Sequence, residues 1–125
     1  MATSMEQVSK EFTAFYYNTF DANRADLRPL YRAGSMLTFE GQQFMGLDSI
    51  MEKLQGLSFQ KVAHQISTCE FQPSNPQMSS IIILVTGFLL IDNEQHPHQF
   101  SQVFQLSMDN GSWFVQNDIF RFIFA

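Results

Sequence analysis

Glu40 follows Phe39 directly in the stretch Leu37-Thr38-Phe39-Glu40-Gly41-Gln42-Gln43, and Asp92 and Glu94 bracket Asn93 far downstream. An aromatic ring beside a carboxylate on a short apolar strand, joined by a second acidic pair, is the layout of an oily cavity with an acidic rim. Such a site grips an apolar side chain flanked by Lys or Arg. Ring burial supplies affinity, and the charges set register and encounter rate. Read singly, each residue is bland: Phe39 is core, Glu40 a solvated carboxylate, and Asp92 and Glu94 a polar turn.

Acid–base chemistry needs a positioned titratable group, and the candidates are Glu40, His64, Asp92, Glu94 and Asp118. His64, between Ala63 and Gln65, reads as a partly buried, hydrogen-bonded strand histidine. His96 and His98 flank Pro97 at a spacing that suits a metal, but a third or fourth ligand is missing, so they read as solvated loop residues. Cys69 lacks a basic neighbour in sequence and reads as a buried, inert thiol. Phosphate loops, serine elbows and metal signatures are absent, and no cofactor is expected.

Composition narrows the classes further. The chain has 125 residues, 45% of them hydrophobic and 15% charged, with 14 Phe and a formal net charge of -5. One domain over 1–125 is expected, with a core or cavity lined by rings. Acidity argues against nucleic acid and anionic membranes, and favours a basic partner or patch. A lone cysteine fits a reducing compartment, and the N-terminal residues lack the pattern of a signal peptide. The longest apolar run, Ile81 to Ile91, is too short to span a bilayer, so no membrane insertion is expected.

The elements that must position these residues follow from periodicity. Thr3-x-x-Glu6 reads as a capping box, followed by a helix over roughly 4–20 with Met5, Val8, Phe12, Phe15, Tyr16 and Phe20 at helical spacing. Leu27, Leu30 and Tyr31 imply a second, short helix with Pro29 near its first turn. Ser35 to Glu40 reads as a strand that turns at Gly41 and pairs with Gln43-Phe44-Met45. Asp48 caps a helix carrying Ile50, Met51 and Leu54, which Gly56 stops. Strands are expected at Val62–Phe71, Ser80–Ile91, Gln99–Met108 and Trp113–Phe124, the last two joined through Asp109-Asn110-Gly111. The result is an α+β fold with helices on one sheet face. The long strands are apolar on both faces, and a second copy of the chain is the simplest cover for the other face.

Several stretches together resemble the nuclear transport factor 2 family, carriers of the small GTPase Ran in its GDP form. They are Phe15-Tyr16-Tyr17-x-x-Phe20-Asp21, Leu30-Tyr31, Ser35 through Gln43, Glu52-Lys53-Leu54 and Phe59-Gln60-Lys61-Val62-x-His64. Gln72-Pro73, Phe100-Ser101-Gln102-Val103-Phe104 and Asn117-Asp118-Ile119-Phe120-Arg121 complete the set, which spans nearly the whole chain. The resemblance implies a cone: a curved mixed sheet wrapping about three helices around a hydrophobic cavity. It implies that Phe39 lines the cavity mouth, Glu40 pairs with an Arg and Asp92 with a Lys of the GTPase. Glu94 stands where some members have Asp, and His64 lies near the same mouth. Met5 falls where some members carry a Trp that binds Phe-rich repeats of nuclear pore proteins. Homodimerisation through the sheet would involve Leu84, Phe104 and Ile119, and the carrier would work in cytoplasm and nucleus, concentrated at the nuclear envelope.

Other readings are an enzyme of the same cone fold, such as a ketosteroid isomerase or scytalone dehydratase relative, and a divergent paralogue that has lost one partner. Fold does not separate them. The enzyme needs a carboxylate base and oxyanion donors in the pocket, and Tyr16, Tyr17 and Tyr31 read as packing in the helical half. The carrier is therefore the expected function, with no catalytic residues.

Overall fold

A computed structural model describes residues 4–92, 94 and 96–123. Helix α1 (Met5–Ala22) starts where the Ser4 side chain accepts the Gln7 N–H, with Glu6 in the first turn complementing the helix dipole. Thr3, the expected cap, lies outside the described residues. Ser9, Thr13, Tyr16, Tyr17 and Phe20 recur at three- and four-residue spacing and, with Val8, form its buried face. The second helix is a 3₁₀ segment, Arg24–Leu30, capped by the Asn23 side chain. Pro29 lies late in it rather than in its first turn, where a missing N–H would be harmless in an α-helix.

Strand β1 (Tyr31–Phe39) begins four residues before the expected Ser35. An irregularity between Tyr31 and Met36 hid this start, and Ser35 bridges it by donating to the Val115 carbonyl at 2.5 Å and accepting the Arg32 N–H at 2.8 Å. Glu40 belongs to the turn and not to the strand. Glu40 (φ 52°) and Gly41 (φ 85°) are both left-handed, as a two-residue hairpin into β2 (Gln42–Met45) requires. Helix α2 (Leu47–Gln55) buries Ile50, Met51 and Leu54. Gly46, not Asp48, occupies its cap position, and Asp48 instead pairs with Arg28 at 2.7 Å.

Strands β3 (Val62–Pro73), β4 (Ser80–Ile91), β5 (His98–Asp109) and β6 (Ser112–Phe122) form an antiparallel meander. Phe124, expected in the last strand, lies outside the described residues. Strand β6 then pairs in parallel with β1, giving one mixed, open sheet in the order β2-β1-β6-β5-β4-β3. The ladder of β3 with β4 shifts register between Ile66 and Thr68, the mark of a β-bulge. Opposite that bulge Gly87 is obligatory, because a Cβ there would lie 2.2 Å from the Gln65 carbonyl oxygen.

The two-sided apolar pattern of β4 resolves by register. Ile81, Ile83, Val85 and Leu89 are buried under the helices, while Ile82, Leu84 and Leu90 are exposed on the opposite face. Leu84 lies beside Val103, and Val103 beside Ile119, so an apolar stripe crosses three strands on that open face. Phe104 does not belong to it. Its ring is fully buried on the helical face, edge-on to Phe12 and Tyr16 at 4.9 and 4.7 Å. Strand alternation puts its neighbour Val103 on the open face instead, which corrects the expected interface membership.

Candidate functional site: an aromatic groove with an acidic rim

At one end of the sheet a surface groove of about 310 Å³ is lined by Ser58, Phe59, Ile91, Asp92, Glu94, His98 and Phe122. The apolar floor comes from three different places: the loop after α2, the end of β4 and the end of β6. Its acidic side is built by backbone geometry. Asp92 is left-handed (φ 52°), and its Oδ1 accepts N–H groups of Gln60 and Lys61 at 3.0 and 2.9 Å. The carboxylate therefore both faces the groove and fastens the loop that carries Phe59. Glu94 Oε2 lies 2.8 Å from His98 Nε2. Glu40 approaches from the β1–β2 turn, where its Oε1 accepts the Phe122 N–H at 2.5 Å.

Beneath the groove lies a closed slot of about 10 Å³, lined by rings and aliphatic side chains that include Phe39, Leu54, Phe59, Leu89 and Phe120. That is room for about one water molecule. The expected cavity is thus present in outline but filled. Phe39 lines the slot rather than an open mouth. Its ring stacks on Phe120 at 4.8 Å and 7°, and Lys53 Nζ covers it at 5.3 Å. His64 is also interior: its Nδ1 is 2.5 Å from Asp21 Oδ1, its N–H donates to Asp21 Oδ2, and its side chain is 3% exposed. That agrees with the plain hydrogen-bonded reading of this residue and leaves it no open position at the rim.

The slot ends on a polar network that sequence reasoning missed. Tyr31 donates to Asp118 Oδ2 at 2.8 Å, with the Tyr16 hydroxyl 2.9 Å from that of Tyr31 and 3.4 Å from the same carboxylate oxygen. Gln102 donates to Asp118 Oδ1 at 2.7 Å and accepts from Tyr17 at 2.7 Å. Tyr16 and Tyr31, expected to serve as packing, therefore do form Tyr–Asp contacts, and Tyr17 joins them through Gln102. Burial pushes the Asp118 carboxyl up to about 6, against the opposing pull of its hydrogen bonds from Gln102, Tyr31 and Tyr16. Burial first, and neighbouring negative charge after it, hold the three phenols well above their ordinary range, so they stay neutral donors. The signal in sequence was a carboxylate on the inward phase of β6, two residues before Phe120. The partners are too distant along the chain for any local pattern to reveal them.

The sequence thus brought Asp92 and Glu94 to one groove and put Glu40 at its edge, while Phe39 and His64 lie one layer deeper. Phe59, Ile91, His98 and Phe122 complete the groove, and no periodicity marks them as a set. Met5 is half-buried at the start of α1 and packs on the core. Cys69, expected to be buried, is exposed, because it lies on edge strand β3, which is exposed along most of its length. Its Sγ lies 3.5 Å from Thr13 Oγ1.

Comparison with known proteins places this architecture. The model of the nuclear transport factor 2 domain matches residues 8–122. Nuclear transport factor 2 of Candida albicans is 53% identical over 121 residues, covering 97% of each chain. The structure of nuclear transport factor 2 from Cryptosporidium parvum superposes with a TM-score of 0.87 at 42% identity, covering 94% of each chain. A putative scytalone dehydratase from Novosphingobium aromaticivorans, 15% identical with a TM-score of 0.77 over 95% of this chain and 85% of its own, shares the fold alone. With the domain model spanning the sheet and both α-helices, and identity above half in a full-length relative, this chain belongs to the nuclear transport factor 2 family.

Proposed function

We propose that the protein is a nuclear transport carrier that binds the GDP form of the small GTPase Ran at the aromatic groove. The observation that carries this reading is the groove itself: an apolar floor of Phe59, Ile91 and Phe122 with Asp92 and Glu94 on its rim and Glu40 beside Phe122. A partner's aromatic side chain buried there contributes about 1.5–3 kcal/mol, and cations beside it meet the carboxylates. An anchor ringed by polar contacts is the common arrangement of a binding hot spot. Dependence on the bound nucleotide follows if the GTPase segment that supplies the ring is ordered differently in its two states. The relatives' name, nuclear transport factor 2, supports the transport role.

Two further surfaces belong to this reading. The open-face stripe of exposed Ile82, Leu84 and Ile119 with half-buried Val103 between them suits a homodimer interface, since a contiguous apolar patch on a sheet face gains by being covered. Met5, half-exposed and conformationally adaptable, is the anchor for Phe-rich pore repeats on α1. Such a carrier shuttles between cytoplasm and nucleus and concentrates at the nuclear envelope. The buried Asp118 network supports binding rather than catalysis, because its hydrogen bonds are satisfied internally by Tyr16, Tyr31 and Gln102.

The test is charge reversal. Glu40→Lys combined with Asp92→Lys is expected to keep the dimer and the circular dichroism spectrum while losing capture of Ran loaded with GDP. Capture at the wild-type level by the folded variant would reject the groove as the site.

A further inference from the structure

The groove takes an aromatic side chain against its surface, but the slot of about 10 Å³ behind Phe59 is too small to let the ring enter deeper, and this raises the question of which wall moves. We propose that Phe59 is the movable wall between groove and slot, and that Arg24 is the positioning residue that holds it shut. This rests on the groove being the partner site, and it adds how an aromatic side chain gains entry.

Phe59 lines both the surface groove and the slot. The other ring walls of the slot are fixed by secondary structure. Phe39 and Phe120 sit on paired strands and stack on each other, and Leu54 is a core residue of α2. Phe59 lies in the segment between α2 and β3, outside any strand ladder. Two attachments hold that segment. Asp92 Oδ1 takes the Gln60 and Lys61 N–H groups on the C-terminal side of Phe59, which leaves a fixed hinge there. Arg24 acts on Phe59 itself: its Nη2 donates to the Phe59 carbonyl at 3.0 Å. Its guanidinium also sits 5.5 Å from the Phe59 ring centre and 5.6 Å from that of Phe20. One hydrogen bond and one cation–π contact are a modest restraint, small beside the burial of an incoming ring.

The restraint has a consequence with a definite sign. A site that binds only when open has its apparent affinity reduced by the fraction of open molecules. Loosening the latch must therefore tighten binding, whereas damage to a merely structural residue would weaken it.

Two experiments test this independently. Benzene titrated into the isotopically labelled protein, read by the resonances of Phe39, Leu54 and Phe120, needs no partner. Benzene is expected to enter wild type weakly, Arg24→Ala several-fold more strongly and Phe59→Ala most readily; equal uptake by wild type and Arg24→Ala, or exclusion by Phe59→Ala, would overturn the proposal. In the second, Arg24→Ala is expected to bind Ran loaded with GDP roughly fivefold tighter than wild type, through faster association. Arg24→Lys, lacking the planar fork, is expected to fall between the two. Unchanged or weaker binding by folded Arg24→Ala would overturn the latch. If neither wild type nor variant binds the GTPase, the proposed function fails while the benzene arm still decides the gate.

Discussion

Replacing Asp118 by Asn isolates the energetics of the buried network beneath the site. In the native protein burial raises this carboxyl from 3.8 to about 6, so the folded state binds more protons than the unfolded chain between those values. Stability held through the neutral carboxyl is therefore complete below about pH 4 and is lost as pH rises through 6. The displacement corresponds to about 3 kcal/mol in full, of which about 2 kcal/mol falls between pH 4 and neutrality because the unfolded carboxyl is already half ionised at pH 4. Asn does not titrate, and the network can accommodate it. Its Oδ1 accepts from Tyr31, its amide donates to Gln102 once that side chain flips, and Tyr17 then accepts from Gln102. Urea unfolding followed by the fluorescence of Trp113, from pH 4 to pH 8 for both proteins, gives the assay. Subtracting the two curves cancels the other carboxylates. The difference should move by about 2 kcal/mol in favour of Asp118→Asn as pH rises from 4 to 7.5, with most of the change below 6.5. A difference that stays flat over that range would refute the account of a desolvated, titrating carboxylate.

Other substitutions probe the remaining elements. Asp92→Asn keeps an oxygen for the Gln60 and Lys61 N–H groups and should weaken Ran binding without altering the melting temperature. Asp92→Ala should in addition cost about 1 kcal/mol of stability, seen in denaturant melts. Ile119→Asp, at a position 50% exposed on the open sheet face, should give a folded monomer by sedimentation; a persistent dimer would move the interface elsewhere. Gly87→Ala forces a Cβ onto the Gln65 carbonyl and should lower stability by about 1–3 kcal/mol, because the bulge must shift to admit it.

The legibility of this chain in its sequence divides along physical lines. Helical spacing in residues 5–20, the Asn110-Gly111 turn, the continuous apolar run of β4 and the alternation in β5 announced the elements correctly, because local geometry and burial write themselves into the residues. The parallel pairing of β1 with β6 and the early start of β1 were not legible, since an irregularity at 31–36 breaks the alternation. Phe104 came to the open face through the resemblance alone, although the alternation of β5 puts it in one phase with Phe100 and Leu106, all three of them buried. At the site, the carboxylates were found through resemblance to a family, but their fixed hydrogen bonds were not. Those arise from left-handed turns at residues 40 and 92 that bring backbone N–H groups from distant segments. The closed state of the slot depends on the Arg24–Phe59 contact across 35 residues of chain, which no pattern encodes.

Titration calorimetry of the purified protein against Ran loaded with GDP, and then with GTP, tests the central claim most directly. The account predicts binding to the GDP form, weakened by charge reversal at Glu40 and Asp92, and no binding to the GTP form. Equal binding to both forms, or to neither, would contradict it.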